Sequence, residues 1–417
     1  MDIVTEVATD DYVPHKLDEI VDAKDDSSGP LTVGIELEFL VPFVDHNVAD
    51  PTPNVEQLLF RNSESPPDGP IREIDNQLLD VLREVDDLEV HHMDDDEYQP
   101  PHGNVPFYDA WRLGHDSTVQ YSSKIGWSLR YQWLGCELSS AIMSEDEYDE
   151  KITDVISMLR TTRVHLNETT SVHVHVGRGD EAFSLLTLKK FATLYWLTET
   201  VIMKLQHPSR QRNKYCYLLT ECSNLASIEL LLLGAELRDA ETEASYQEMS
   251  EFVPIAMPGL SVVQRAQIRR IWSFNTIENL ALAMQGNRSL VPSDRVCYER
   301  GALGFKRFLP AGKSGGNTQT FEWRQMAGCL DVGHILRWVR LTLAFTNFCR
   351  LSKVETYQGL LATIINHGGT YTEKELVEDL GLAEEASFFK DKAVVYAGGM
   401  EDYFEGQSSG NLFVPPM

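Results

Sequence analysis

The feature that most constrains this chain is Ser171-Val172-His173-Val174-His175-Val176-Gly177, where histidine alternates with valine. β-Branched valines favour an extended backbone, and successive side chains of a strand point to opposite faces. His173 and His175 therefore share one face, and the three valines share the other. The valine face can join a core. A face with two imidazoles suits a metal ion or a phosphate-bearing ligand instead. Taken alone, the stretch is compatible with zinc, with iron or with no ligand, and other strands must decide.

Three other stretches share its design. In Gly34-Ile35-Glu36-Leu37-Glu38-Phe39, the apolar Ile35, Leu37 and Phe39 oppose Glu36 and Glu38. Gly135-Cys136-Glu137-Leu138-Ser139 places Glu137 and Ser139 together, within a strand region spanning Trp127 to Ile142. The strand from Thr318 to Gln325 sets Thr320, Glu322 and Arg324 against Phe321 and Trp323. An ordinary solvated sheet face also draws on lysine, threonine, serine and glutamine. Here carboxylate and imidazole dominate. Clustered carboxylates repel one another unless cations lie between them. An oxygen-rich set with one or two imidazoles and no cysteine fits Mg²⁺ or Mn²⁺ better than structural zinc. Each stretch by itself has a plainer reading: Glu-x-Glu is common on strands, and Glu322 with Arg324 reads equally as an ion pair. Found together, the four point to one metal site.

Composition narrows the class. With 417 residues, 42% of them hydrophobic, the chain can bury a large core, as one domain with insertions or as two domains. A net charge of −28 argues against nucleic acid as a partner. No apolar run approaches the ~18 residues of a membrane helix. The acidic start is unlike a secretory or mitochondrial signal. The six cysteines, with no CxxC spacing, read as reduced and mostly buried. The expectation is a cytoplasmic protein that binds neither nucleic acid nor membrane.

Residues 1–30 read as a flexible acidic lead-in, and 44–69 as a long loop or insertion. Helical patterns cover 71–85, 145–166, 183–206, most of 222–250, and about 333–351 and 356–367. Thr372 and Glu375 form a capping-box signature opening a further helix to about Leu380. Gly114-His115-Asp116-Ser117 reads as a turn between two strand-like pieces. Basic residues gather in two loop segments, one with Arg210, Arg212 and Lys214, the other with Arg288, Arg295, Arg300 and Arg307. Arginine grips phosphate or carboxylate in bidentate fashion. Ion pairing with the surplus of acids accounts for most of them, and one or two are expected to point into the site. The Gly-Lys-Ser of Gly312-Lys313-Ser314 lacks the upstream glycine of a phosphate-binding loop and reads as a flexible turn.

The motifs, in order, are Gly-x-Glu-x-Glu at 34–38, Asp116-Ser117, Gly-x-Glu-Leu-x-Ser at 135–140, His-Val-His-Val-Gly at 173–177, and Phe-Glu-Trp-Arg at 321–324 followed by Leu330-Asp331. This series resembles the amidoligase family of carboxylate–amine ligases with a glutamine-synthetase-like fold. The resemblance runs from about residue 31 to 350 and fades near 44–69 and 225–260. It implies an α+β fold, with a curved antiparallel sheet of five or six strands, a polar concave face and helices on the other face. The implied domains are a catalytic domain over 31–352 and a helical C-terminal extension over 353–417.

The resemblance further implies an ATP- and Mg²⁺- or Mn²⁺-dependent ligase. It would form an amide or isopeptide bond through an acyl phosphate, from a small carboxylate and an amine. By similarity, Glu36, His173 and Glu322 hold the metal nearest the nucleotide, and Glu38 and Glu137 the metal nearest the substrate. His175 lies near the β- and γ-phosphates, and Arg324 neutralises the transferred phosphoryl group. The catalytic residues expected are then Arg324, His175 and Glu38. Arg288 and Arg295 are assigned to the nucleotide, and Arg210, Arg212 and Ser139 to the substrate. Glutamine synthetase carries a further carboxylate near the position of Glu137, for which Asp116 is the candidate. Other readings of the same residues are a phosphotransferase on a related fold, a metal-dependent hydrolase, or a non-enzymatic nucleotide- or metal-binding protein.

Overall fold

The structure, a computed structural model, describes residues 25–66, 68–94, 108–121, 130–211, 213–227, 243–287, 301–309, 319–397 and 412–417. Its centre is β1 (Thr32–Asp45), which pairs antiparallel with β5 (Gln132–Ser139) on one side and β7 (Ser171–Gly177) on the other. Outward from β5 come β4 (Trp111–His115) and β3 (Val90–His92). Outward from β7 come β9 (Phe321–Ala327) and β8 (Leu303–Gly304). Two short strands, β2 (Phe60–Asn62) and β6 (Met143–Ser144), also pair with β1 and complete a nine-stranded sheet.

The protein is α+β, but the sheet is larger than expected and not wholly antiparallel. β2 runs parallel to β1, and β3 parallel to β4. In both cases a long connection separates the paired strands, which is what a parallel return requires. The stretch 44–69, expected as a loop, contributes β2.

Alternation decides what each face carries. Val33, Ile35, Leu37 and Phe39 of β1 and Val172, Val174 and Val176 of β7 are buried in one continuous core. That face is covered by two long helices, α3 (Leu185–Lys204) and α9 (Val332–Leu351), which pack on each other. Phe191 of α3 stacks on Phe321 of β9 with ring centroids 3.7 Å apart, and Trp338 of α9 meets Trp323 edge-on. Fifteen residues of α3 are buried, as an apolar pattern on most sides requires. The helix starts at Ser184, whose hydroxyl accepts the Thr187 N–H.

Asp331 of the Leu-Asp motif has a comparable local role: its carboxylate accepts the His334 N–H and caps α9. The predicted capping box is present, with Thr372 and Glu375 bonded to each other's backbone N–H. The helix expected over 145–166 spans only Tyr148–Leu159. The Thr161 and Thr162 N–H groups and hydroxyls both donate to the Met158 and Leu159 carbonyls, so the helix closes on i→i+3 bonds. Among the described residues no helix is long and apolar enough to cross a membrane.

Candidate active site

The four strands that carry the polar motifs are consecutive in the sheet, in the order β5-β1-β7-β9. Register then places Glu36 between Ser139 and His173, Glu38 beside Glu137, and His175 beside Glu322. A β-bulge makes the last contact possible. Between Val172 and Val174 the pairing of β7 with β9 slips by one residue. Glu322 and Arg324 can thus face the site while Met326, which would otherwise share their face, returns to the core opposite Val172.

The face opposite the helices holds a cavity of about 460 Å³, lined among others by Glu36, Asp116, Glu137, His173, His175 and Arg324. Two of its lining residues meet across the sheet: the guanidinium of Arg307, after β8, lies 5.7 Å from the ring of Tyr108, before β4. Glu38 and Glu322 are buried beside the lining residues.

One flank of the cavity is densely cross-bonded. Glu36 Oε2 lies 2.7 Å from His173 Nδ1, and Glu36 Oε1 lies 3.0 Å from His175 Nε2. His175 Nδ1 is 3.2 Å from the Thr320 hydroxyl. The Ser171 hydroxyl donates to Glu38 and sits 2.8 Å from His173 Nε2. Arg324 Nη1 donates to Glu322. Burial works to raise the Glu36 pKa, but His175 and His173 outweigh it and hold the carboxyl well below its usual range. Burial works to lower the Arg324 pKa, and the carboxylates of Glu322, Glu38 and Glu36 hold it above the usual guanidinium range instead.

The other flank is acidic. Glu137 accepts a hydrogen bond from Ser139 at 3.2 Å. Burial, then the charges of Glu36, Glu38 and Asp116, push the Glu137 carboxyl up to about 8, against the Ser139 hydrogen bond. Two sets of potential ligands result. Glu36, His173 and Glu322 each offer an atom within 4.8 Å of the others, and so do Glu38, Asp116 and Glu137. The donor chemistry of both sets fits hard divalent cations.

The remaining expectations divide. Ser139 lines the cavity, and so does Asp116, the candidate for the extra carboxylate. Arg210, expected at the substrate, is fully buried elsewhere: its Nη2 donates to the Arg324 carbonyl at 2.7 Å, so it braces β9 from outside the cavity lining. Arg212, Arg288 and Arg295 lie outside the described residues. Two contributors escaped sequence reasoning. Ser171 joins Glu38 to His173, and the same alternation that aligned the histidines already placed it on their face. Arg112 of β4 lines the cavity although it stands between Trp111 and Leu113, and a charge inside such a strand was the available signal.

A family model described as "Putative amidoligase enzyme" matches residues 29–230. That stretch, which carries Glu36, Glu38, Asp116, Glu137, His173 and His175, is similar to the amidoligase family. Glu322 and Arg324 lie beyond it and join the site through the pairing of β7 with β9. No curated protein and no solved structure matches the chain.

Proposed function

We propose that the protein is an ATP-dependent ligase that joins a small carboxylate to an amine, on a sheet arranged like the catalytic domain of glutamine synthetase. One observation carries this reading. Two three-ligand groups lie side by side on one sheet face, and Arg324 and His175 flank the first. A hydrolase needs the ligand groups but no arginine anchored among them. Phosphoryl transfer depends chiefly on positioning and charge neutralisation, and both are provided.

Glu36, His173 and Glu322 would hold the cation nearest the nucleotide, and Glu38, Asp116 and Glu137 the cation nearest the substrate. When bound, Mg²⁺ or Mn²⁺ neutralises phosphate charge and polarises the phosphoryl group. Arg324, held in place by Glu322, donates to the transferred phosphoryl group. Its buried Nε has no hydrogen-bond partner among the described residues, which leaves a donor for a phosphate oxygen. His175, fixed between Glu36 and Thr320, keeps its ring edge at the β- and γ-phosphates. Arg112 and Arg307 line the same cavity and suit an anionic substrate.

The substrate carboxylate attacks the γ-phosphorus and ADP leaves. The amine then displaces phosphate from the acyl phosphate and gives up a proton. The catalytic domain would run over 31–352 with a helical extension over 353–417, acting in the cytoplasm. ADP release, measured with panels of carboxylic acids and amines, should require both partners together with Mg²⁺. Turnover without ATP would replace this reading with hydrolysis, and ADP formation that ignores the amine would replace it with simple phosphotransfer.

A further inference from the structure

A second group of ligating side chains lies outside the cavity. Asp75 is buried on α1 (Pro70–Leu82), His92 ends β3 and His115 ends β4. Asp75 Oδ2 stands 3.0 Å from His92 Nε2 and 2.9 Å from His115 Nε2, and one ligand atom from each residue lies within 4.8 Å of the others. The His92 side chain is 4% exposed and that of His115 30%, so the group opens to solvent on the His115 side. Asp75 Oδ1 is buried with no hydrogen-bond partner among the described residues.

Proton placement sharpens the case. His115 Nδ1 lies 3.2 Å from the Gly135 carbonyl, which can only accept, so Nδ1 carries a proton. His115 Nε2 then faces an Asp75 oxygen at 2.9 Å, where either a proton or a metal ion satisfies both atoms. A main-chain carbonyl that accepts Nδ1–H is a contact that orients a histidine binding metal through Nε2. The Asp75 oxygen and the two Nε2 atoms converge on one point, where imidazole protons sit in the absence of a metal and one metal ion can replace them.

We propose that Asp75, His92 and His115 form a second metal site, separate from the ligase cavity, that takes a borderline divalent ion of the Zn²⁺ or Co²⁺ type. Two imidazoles and one carboxylate favour such ions over Mg²⁺, and solvent on the His115 side completes the coordination. On binding, His92 moves its proton from Nε2 to Nδ1 and gives up the 3.2 Å contact from the Asp94 N–H. Any proton on His115 Nε2 leaves to solvent. The ion fastens α1 to β3 and β4. His115 turns to Asp75 while the next residue, Asp116, lines the cavity, so the ion sits one peptide away from a residue of the acidic flank.

The test uses the full chain, stripped with a chelator and held in excess Mg²⁺ to fill the oxygen-rich groups. It is then titrated with Co²⁺ by visible absorption and with Zn²⁺ by calorimetry. The expected result is one ion per chain in the wild type and in Glu322→Gln. His115→Ala should bind more than about 100-fold more weakly, because a lost ligand outweighs a lost supporting contact. His115→Gln, which keeps more of the side-chain volume, should lose the ion in the same way with an unchanged circular dichroism spectrum. Wild-type affinity in both His115 variants, or no Co²⁺ uptake by the wild type, would overturn the site. An ion lost in Glu322→Gln but kept in the His115 variants would belong to the cavity and would also overturn it.

Discussion

The two flanks of the cavity use nearly the same residue types and reach opposite electrostatic states. On the β7–β9 flank the acids face cations or imidazoles: Glu36 between His173 and His175, and Glu322 against Arg324. On the β5–β4 flank Glu137 faces Glu36, Glu38 and Asp116, and its pKa is pushed up to about 8. The first flank pairs its acids with imidazole and guanidinium groups. On the second, burial and neighbouring acids outweigh the Ser139 hydrogen bond at Glu137. A sheet face that was merely solvated would show no such division, because water would level both sides.

The largest effect should come from breaking the balanced flank. Arg324→Met should lower ADP formation by about 10³-fold or more, the scale of losing a guanidinium at a transferred phosphoryl group. It should also cost about 3–5 kcal/mol in urea unfolding, because it breaks a buried ion pair. Next comes a steric test of the same pair. A Cβ on Gly304 of β8 would stand 2.6 Å from Glu322 Oε2, so Gly304→Ala must displace that carboxylate. Steady-state kinetics should show about a 10²-fold loss from misplacement alone.

A carboxylate outside the cavity provides a control for burial. Glu199 on α3 accepts from the Leu219 N–H, the Thr220 N–H and the Thr220 hydroxyl at 2.6–2.8 Å. Burial still lifts it from an ordinary 4.5 to about 6, against those hydrogen bonds. The folded state therefore holds this proton more tightly than the unfolded chain does. The associated stability is present below about 4.5 and is lost as pH rises through about 6. Glu199→Gln removes the titration, so the variant should gain on the wild type by about 2 kcal/mol across that window in pH-dependent unfolding. An unchanged difference across the window would mean that burial at this depth does not shift a well-bonded carboxyl. The excess at Glu137 would then need another source.

The smallest effect should have the opposite sign from the first. Glu137→Gln removes one of the mutually repelling acids, so in EDTA it should raise the melting temperature by roughly 1–3 °C. In Mg²⁺ the same variant should lose both the ion's stabilisation and its activity. A drop in melting temperature in EDTA would show that the acidic flank is not strained by its own charge.

Which parts of this were legible in the sequence follows from what is local. Period-two alternation is a local property, so Glu36, Glu38, Glu137, His173, His175, Glu322 and Arg324 were assigned to polar strand faces without knowledge of pairing. The order of the strands, the parallel edges and the bulge between Val172 and Val174 depend on partners far away in the chain, and no local pattern announces them. Arg210 makes the same point for side chains. A basic loop next to an acidic protein's site suggests a ligand contact, yet packing turned this guanidinium toward the Arg324 carbonyl. The Asp75, His92 and His115 group was equally unreadable, since its members come from a helix and two separate strands and share no motif.

The central claim is that the balanced flank receives phosphate and the acidic flank receives a cation. The most direct measurement is anomalous diffraction from crystals grown with Mn²⁺ and ADP. The account predicts Mn²⁺ among Glu38, Asp116 and Glu137, a second Mn²⁺ among Glu36, His173 and Glu322, and nucleotide phosphates against His175 and Arg324. An acidic flank without Mn²⁺, or a nucleotide bound away from Arg324, would contradict it.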